Sequence, residues 1–140
     1  MAFTGNYSCN TLRSGLANAS INLSSDTFYL ALYTNTATLD STTTGYTSDG
    51  EASGGDYVAG GQQVTATVSS APTASGSIVY VTFSSPSWTG SITARGALIY
   101  DSTTGDAICV LDFANDKTST NTFTVTMPAN TSTSALIRLV

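Results

Sequence analysis

The sequence predicts an all-β protein: an antiparallel β-sandwich of about seven strands, with a short N-terminal helix or arm. From Asp26 onward, apolar residues recur with a period of two in short runs rich in Thr, Val, Ile and Tyr. Clusters of Gly, Ser, Thr, Asn and Pro separate these runs, at the spacing typical of sandwiches and barrels. The 140 residues contain no long linker and no internal repeat, so we expect one domain spanning 1–140.

The N-terminal segment, residues 1–22, carries the only helical pattern. Its apolar residues recur at spacings of three, four and three. These residues are Cys9, Leu12, Leu16 and Ala19. Ser8 is a candidate N-cap, whereas Gly15 and several Asn and Ser residues oppose a long helix. We expect a short helix or an irregular arm lying against a sheet.

Seven runs of the chain are predicted as strands. They are DTFYLALYT, QQVTATVS, SIVYVTF, SITARGALIYD, DAICVLDF, NTFTVTM and SALIRLV. Both faces of DTFYLALYT are apolar, as in a central strand that is buried on both sides. In NTFTVTM, by contrast, Phe123, Val125 and Met127 alternate with threonines, which predicts one buried face and one exposed face.

Residues 37–63 form a long, glycine-rich segment whose few apolar residues have no sustained period. Loops of this length in a compact domain are usually functional, or are ordered by a partner. We therefore take the segment as a candidate partner-contact loop. Its candidate contact residues are Tyr46, Asp49, Glu51, Asp56 and Tyr57.

The composition removes most catalytic and metal chemistry. The chain has no histidine, which excludes His-dependent triads and His-ligated metal sites. Cys9 and Cys109 stand a hundred positions apart, so they provide no structural zinc site, and we expect two free thiols. No nucleotide-binding motif is present. The carboxylates DGEASGGD could ligate calcium but fit no loop template, and no spacing selects a glycosidase pair. We expect no catalytic residue, no cofactor and no metal.

Charge and hydropathy limit the partners. The net charge of −5 argues against nucleic-acid binding, because phosphates require Lys and Arg. Charged residues make up 9% of the chain, and Ser and Thr, at roughly a third, take their place. No run approaches a membrane span. The start, MAFTGNYSCNTLRSGL, lacks a basic region and an unbroken apolar run, so we expect neither a signal peptide nor membrane association.

Aromatic residues offer one binding alternative. Tyr46, Tyr57 and Trp88 could form a platform for sugar rings. A lone Trp at the edge of a strand run more often covers the core of a small domain. We therefore expect Trp88 to be buried, and keep a carbohydrate-binding β-sandwich as an alternative function.

Arg95 is a rare charge within an apolar strand. The four residues between ALIYD and DAICVLDF form a plausible hairpin loop. If Asp101 pairs with Asp106, facing residues have numbers that sum to 207, and Arg95 lies opposite Asp112. The same register places Leu98 opposite Cys109, Ile99 opposite Ile108 and Ala97 opposite Val110. We expect a cross-strand ion pair that neutralises both charges and helps to fix the register.

Several blocks of the sequence carry a family resemblance. They are GGDYVAGGQQV, PSWTGSITARGALIYD, AICVLDFANDKTSTNTFTVTMP and the apolar C-terminal strand, together with MAFTGNY and DTFYLALYT. The chain resembles a family of small virion-associated proteins of tailed bacteriophages, including phages of cyanobacteria. The positions that match the pattern are Trp88, Arg95, Gly96, Tyr100, Asp112 and Lys117. The resemblance implies that they frame the fold and transfers no catalytic residue. Asp56 departs from the pattern, which has a smaller or neutral residue before the tyrosine.

The expected function is that of a non-enzymatic virion subunit. Within that class we favour a capsid decoration (cement) protein on the outer surface of the shell, assembled in the host cytoplasm. Its partners are then the major capsid protein and neighbouring copies of itself, as a homo-oligomer in the particle. The alternatives are a tail, neck or fibre-associated subunit, a carbohydrate-binding module, and a β-rich subunit that builds the shell itself.

Overall fold

A computed structural model of the chain describes residues 3–73 and 76–139. These residues form ten strands and one helix. In chain order they are β1 (Tyr7–Ser8), α1 (Asn10–Ala17), β2 (Phe28–Tyr33), β3 (Gln62–Val64), β4 (Ala66–Thr73), β5 (Gly76–Phe83), β6 (Ser87–Thr89), β7 (Thr93–Asp101), β8 (Ala107–Thr118), β9 (Thr122–Thr124) and β10 (Ile137–Leu139). Val140, the last residue of the predicted strand SALIRLV, lies outside the described residues.

The strands form three antiparallel sheets. The five-stranded sheet has the order β1-β8-β7-β2-β3, and the three-stranded sheet has the order β10-β5-β4. Strands β6 and β9 make a two-stranded sheet. A core of buried side chains from all three sheets lies between the layers. The predicted all-β antiparallel sandwich is thus confirmed, with more and shorter strands than the seven runs indicated.

The predicted strand QQVTATVS divides into two strands at Thr65. On one side, Val64 of β3 pairs with Phe28 of the five-stranded sheet, and on the other, Ala66 of β4 pairs with Phe83 of the three-stranded sheet. Backbone N–H of Thr65 donates to Ser84 Oγ, and Ser84 N–H donates to the Thr65 carbonyl, both at 2.9 Å. These bonds fix a corner at which the chain passes from one sheet to the other. The prediction of one continuous strand is wrong here, because Thr continues a strand pattern as readily as it turns a corner.

Strand β2 is buried on both faces, as its sequence predicts. Leu30 and Leu32 point into the core between the sheets, whereas Ala31 and Tyr33 point into a second apolar cluster on the outer face. Each of these four side chains is fully inaccessible to solvent. The five-stranded sheet is therefore an internal layer rather than one half of a simple two-layer sandwich.

Most of the strands, together with the helix, contribute side chains to the core between the sheets. Val81 and Phe83 of β5 pack there with Phe123 of β9 and Leu12 of α1. Trp88 of β6 is buried in the same cluster, as predicted.

The outer cluster is covered by the N-terminal segment and by the long loop. Phe3 from the first, and Ala37 and Leu39 from the second, pack against Leu98 and Val110 of the sheet. Residues 37–61 thus add a layer of irregular chain that buries an apolar sheet face.

Helix α1 is short, as predicted, but its N-cap is Cys9 rather than Ser8. The Ser8 hydroxyl instead accepts a hydrogen bond from Arg13, and Ala19 lies beyond the helix at a positive φ of 63°. Gly15 packs closely against Ile21, because a Cβ at this position would lie 2.3 Å from the end of the Ile21 side chain and would force it to move. Gly15, which disfavours a long helix, thus lets the short helix α1 pack closely against Ile21.

The β7–β8 hairpin has a different register from the predicted one. Tyr100 pairs with Ala107, in agreement with the sum of 207. A bulge then shifts the pairing by one residue. Beyond it, Ile99 pairs with Cys109, Leu98 with Val110, Ala97 with Leu111 and Gly96 with Asp112. The predicted facing pairs of Leu98, Ile99, Ala97 and Arg95 are therefore wrong by one position.

Candidate functional site

Arg95 and Asp112 form the predicted ion pair in spite of the register error. Arg95 lies at a second bulge, between Ala94 and Gly96, and its long side chain reaches the carboxylate one position along the partner strand. The two side chains are 15% and 14% exposed, and the guanidinium lies 5.8 Å from the centre of the Phe3 ring. The Asp112 carboxylate also accepts the Ala114 N–H at 2.8 Å. Both charges are thus engaged in holding the strand, the bulge and the N-terminal segment together.

The remaining positions of the resembling pattern differ in how deeply they are packed. A Cβ at Gly96 would lie 2.5 Å from both the Phe3 ring and the Leu111 carbonyl, so this position admits only glycine without a shift. The Tyr100 hydroxyl donates to the Gly60 carbonyl at 2.6 Å and ties the long loop to the sheet. Lys117 is exposed and pairs through its backbone with Ala94. Apart from Lys117, these residues build the frame.

Glu51 organises the candidate partner-contact loop. Its carboxylate accepts hydrogen bonds from the Tyr46 hydroxyl at 2.6 Å, from the Tyr57 hydroxyl at 2.7 Å and from the Gly60 N–H at 2.7 Å. The bond to Glu51 raises the pKa of Tyr46 to about 12, and burial, followed by the same bond, raises the pKa of Tyr57. Both phenols therefore stay protonated and act as donors at neutral pH. Tyr57 and Glu51 hold the loop on the sheet rather than projecting toward a partner.

The other two loop carboxylates point elsewhere. Asp56 accepts the Thr89 N–H at 2.8 Å, so this carboxylate has a local structural role. Asp49 lies on an exposed turn. Within residues 3–73 and 76–139, no group of three Cys, Asp or Glu side chains is placed to hold a metal ion.

The three aromatic residues do not form one exposed platform. Tyr57 packs on Trp88 with ring centres 5.5 Å apart, and Trp88 is buried. Tyr46 packs on Tyr100 at 5.2 Å and is 38% exposed. Of the three aromatic residues, only Tyr46 is exposed, and its ring packs against Tyr100.

Asp26 and Asp101 form a carboxyl pair that the sequence does not indicate. Asp101 is fully buried; its Oδ1 accepts the N–H groups of Thr103 and Thr104, while its Oδ2 is buried and receives no donor among the described residues. Burial, together with a hydrogen bond to Asp26, raises the pKa of Asp101 to about 6. The same bond to Asp101 lowers the pKa of Asp26. A proton held by Asp101 and donated to the Asp26 carboxylate accounts for both shifts.

The two cysteines are buried and free. Burial raises the pKa of the Cys9 thiol to about 11 and also raises that of Cys109. Both therefore stay as neutral thiols at physiological pH and pack as small apolar side chains.

The three-stranded sheet exposes apolar side chains that the sequence pattern assigns to the core. Val68, Val79 and Leu139 are 43%, 37% and 42% exposed. They share a sheet face with Val81, which is fully buried, because Val79 pairs with Leu139 and Val68 with Val81. This face thus continues from the core to the surface.

Two further findings concern the whole described chain. No helix within the described ranges is both long enough and apolar enough to cross a membrane. Comparisons with protein-family models, with curated proteins and with solved structures found no match.

Proposed function

We propose that the chain is a non-enzymatic structural subunit of a tailed-bacteriophage particle. The observation that supports this most directly is the packing of the resembling blocks. Trp88, Gly96 and Tyr100 hold the layers of the sandwich together, and Arg95 and Asp112 neutralise each other within it. These residues have the structural role that the resemblance implies for them.

Within the particle, we place the subunit on the outer surface of the capsid as a decoration protein. It contacts the major capsid protein and neighbouring copies of itself. A stable contact of this kind buries about 800 Å² on each partner. The three-stranded sheet suits such a contact, because it exposes Val68, Val79 and Leu139 and its strands carry only one charged residue, Arg138.

The geometry does not favour the alternative of a carbohydrate-binding module. Such a module presents aromatic faces to the sugar, whereas Trp88 is buried and Tyr57 is held by Glu51 and Trp88. A glycan array provides the direct check, and a saturable, Tyr46-dependent signal there would reopen this alternative.

Copy number in the particle tests the proposal. Quantitative mass spectrometry of purified particles should find this chain at a level comparable with the major capsid protein. A level close to that of tail or neck proteins would contradict the capsid position and favour the tail, neck or fibre alternative. Closed shells assembled from the purified chain alone would favour a shell-building subunit instead.

A further inference from the structure

A groove of about 580 Å³ lies along one open side of the sandwich. Its walls come from α1, β1 and the segment that contains β10. Strand β1 is the edge of the five-stranded sheet, and β10 is the edge of the three-stranded sheet. Within residues 3–73 and 76–139, each of these two strands has a hydrogen-bonded neighbour on one side only, and residues of both strands line the groove.

The groove is lined by apolar side chains that are only partly covered. Leu16 of α1, Leu111 of β8 and Leu136 are half-buried, and Leu139 of β10 is exposed. Leu16, Leu111 and Leu136 also pack against the main core. The groove therefore offers an apolar surface of the kind that side chains of an added strand cover in β-strand addition.

Charge is distributed unevenly around this groove. Two of the four basic residues of the chain, Arg13 and Arg138, line it, and no carboxylate does. All nine Asp and Glu residues lie within 26–56 and 101–116. Within the described ranges, Arg95 pairs with Asp112, and neither groove arginine lies within ion-pair distance of an Asp or Glu side chain. Arg13 is oriented by hydrogen bonds to Ser8 and Asn10, and Arg138 is exposed.

We propose that this groove binds an extended segment of a partner chain in which apolar and acidic side chains alternate. The apolar side chains lie on the leucines, the carboxylates meet Arg13 and Arg138, and the backbone adds to the free edge of β10 or β1. In a chain of net charge −5 this is the surface on which an acidic partner meets the least repulsion. The inference deepens the proposed function by naming the chemistry of the contact on the particle.

Peptide binding in solution tests this inference. The probe is a short fluorescent peptide that alternates valine and glutamate, and the readout is anisotropy with the full chain. We expect saturable binding that weakens at high salt. The Arg13→Gln/Arg138→Gln double variant should weaken binding by about tenfold or more. A peptide that alternates valine and lysine should not bind.

The matched control is Lys117→Gln, which removes the same charge outside the groove and should leave binding unchanged. An unchanged melting temperature in each variant excludes unfolding as the cause of weaker binding. If the Arg13 change destabilises α1, the single variant Arg138→Gln, at an exposed position, replaces the double variant. Absence of peptide binding, or binding equally strong in the double variant, would overturn the inference. A dimer in sedimentation velocity that the double variant abolishes would also overturn it, since the occupant would then be a second copy. The peptide assay uses the isolated chain, so a negative result would contradict the groove inference without contradicting the capsid position. Conversely, finding the chain in the tail would contradict the capsid position without contradicting a positive peptide result.

Discussion

The five-stranded and three-stranded sheets use the same strand-forming residues for opposite purposes. In β2 both faces are buried, one against the sandwich core and one beneath the long loop. In β4, Thr67, Val68 and Ser70 are exposed although the alternation of the sequence is equally regular. Period-two patterning thus identifies a strand in both places, but whether a face is covered depends on segments far away in the chain. The five-stranded sheet is covered on both faces at β2, whereas the three-stranded sheet leaves apolar side chains exposed to solvent.

Truncating a buried side chain on the outer face of the five-stranded sheet should have the largest effect on the free energy of unfolding. Leu98→Ala should lower the free energy of unfolding by about 2–5 kcal/mol, because Leu98 is fully buried beneath the loop layer. Val79→Ala is the corresponding but smaller truncation in the three-stranded sheet, and it should cost no more than about 1 kcal/mol because Val79 is partly exposed. Urea unfolding measures both, and equal losses would contradict the contrast between the sheets.

Breaking the ion pair of the frame should have the next largest effect. Asp112→Ala should lower the free energy of unfolding by about 1–3 kcal/mol, since it leaves the mostly buried Arg95 without its carboxylate. Arg95→Met keeps the side-chain stem over Phe3. In a double-mutant cycle the two changes together should cost less than the sum of the single changes. Strict additivity would show that the pair contributes nothing as a unit.

Removing the acceptor at the centre of the loop should loosen the outer layer. Glu51→Ala leaves the Tyr57 hydroxyl and the Gly60 N–H without their acceptor, which we expect to cost about 1–3 kcal/mol. Glu51→Gln retains the size and one acceptor oxygen, and should cost less. Hydrogen exchange should accelerate at Gly60 and Leu32 but not in β5. Faster exchange spread evenly over the molecule would contradict a local role for Glu51.

The smallest effect concerns pH and the Asp26–Asp101 pair. Because the pKa of Asp101 is raised in the folded protein, its contribution is fully present below the unfolded pKa near 4 and is lost as pH rises through about 6. Since the pKa of Asp26 is lowered in the folded protein, its contribution to stability is present above its unfolded pKa and is lost as pH falls through its folded pKa. After allowance for the partial exposure of Asp26, the free energy of unfolding should fall by about 1–2 kcal/mol between about pH 4 and pH 6, where Asp101 is protonated in the folded chain and ionised in the unfolded chain.

Asp101→Asn is the control for this pH dependence. The amide can donate to Asp26 at every pH while its oxygen still accepts the Thr103 and Thr104 N–H groups. The decline between about pH 4 and pH 6 should therefore disappear in this variant. An unchanged decline would assign the effect to other groups.

Local patterns predicted the elements well where the pattern and the burial agree. The double-sided strand β2, the buried Trp88 and the short N-terminal helix follow from apolar spacing alone. The contact between Arg95 and Asp112 was also predictable. It survives a register shift of one residue because an arginine side chain spans the difference.

Features that depend on distant parts of the chain were not predictable. The bulges in β7–β8 and the corner at Thr65 lie within runs whose composition is that of ordinary strands. Asp26 and Asp101 are 75 residues apart, and no spacing rule joins them. The groove arginines, Arg13 and Arg138, come from opposite ends of the chain. The exposure of Val68 and Val79 likewise depends on where the core between the sheets ends.

Cryo-electron microscopy of the particle that carries this chain tests the central proposal most directly. We predict density for the sandwich on the outer surface of the shell, with the three-stranded sheet or the adjacent groove facing the capsid subunits and the five-stranded sheet as the internal frame. Density confined to the tail, neck or fibres would contradict the decoration role.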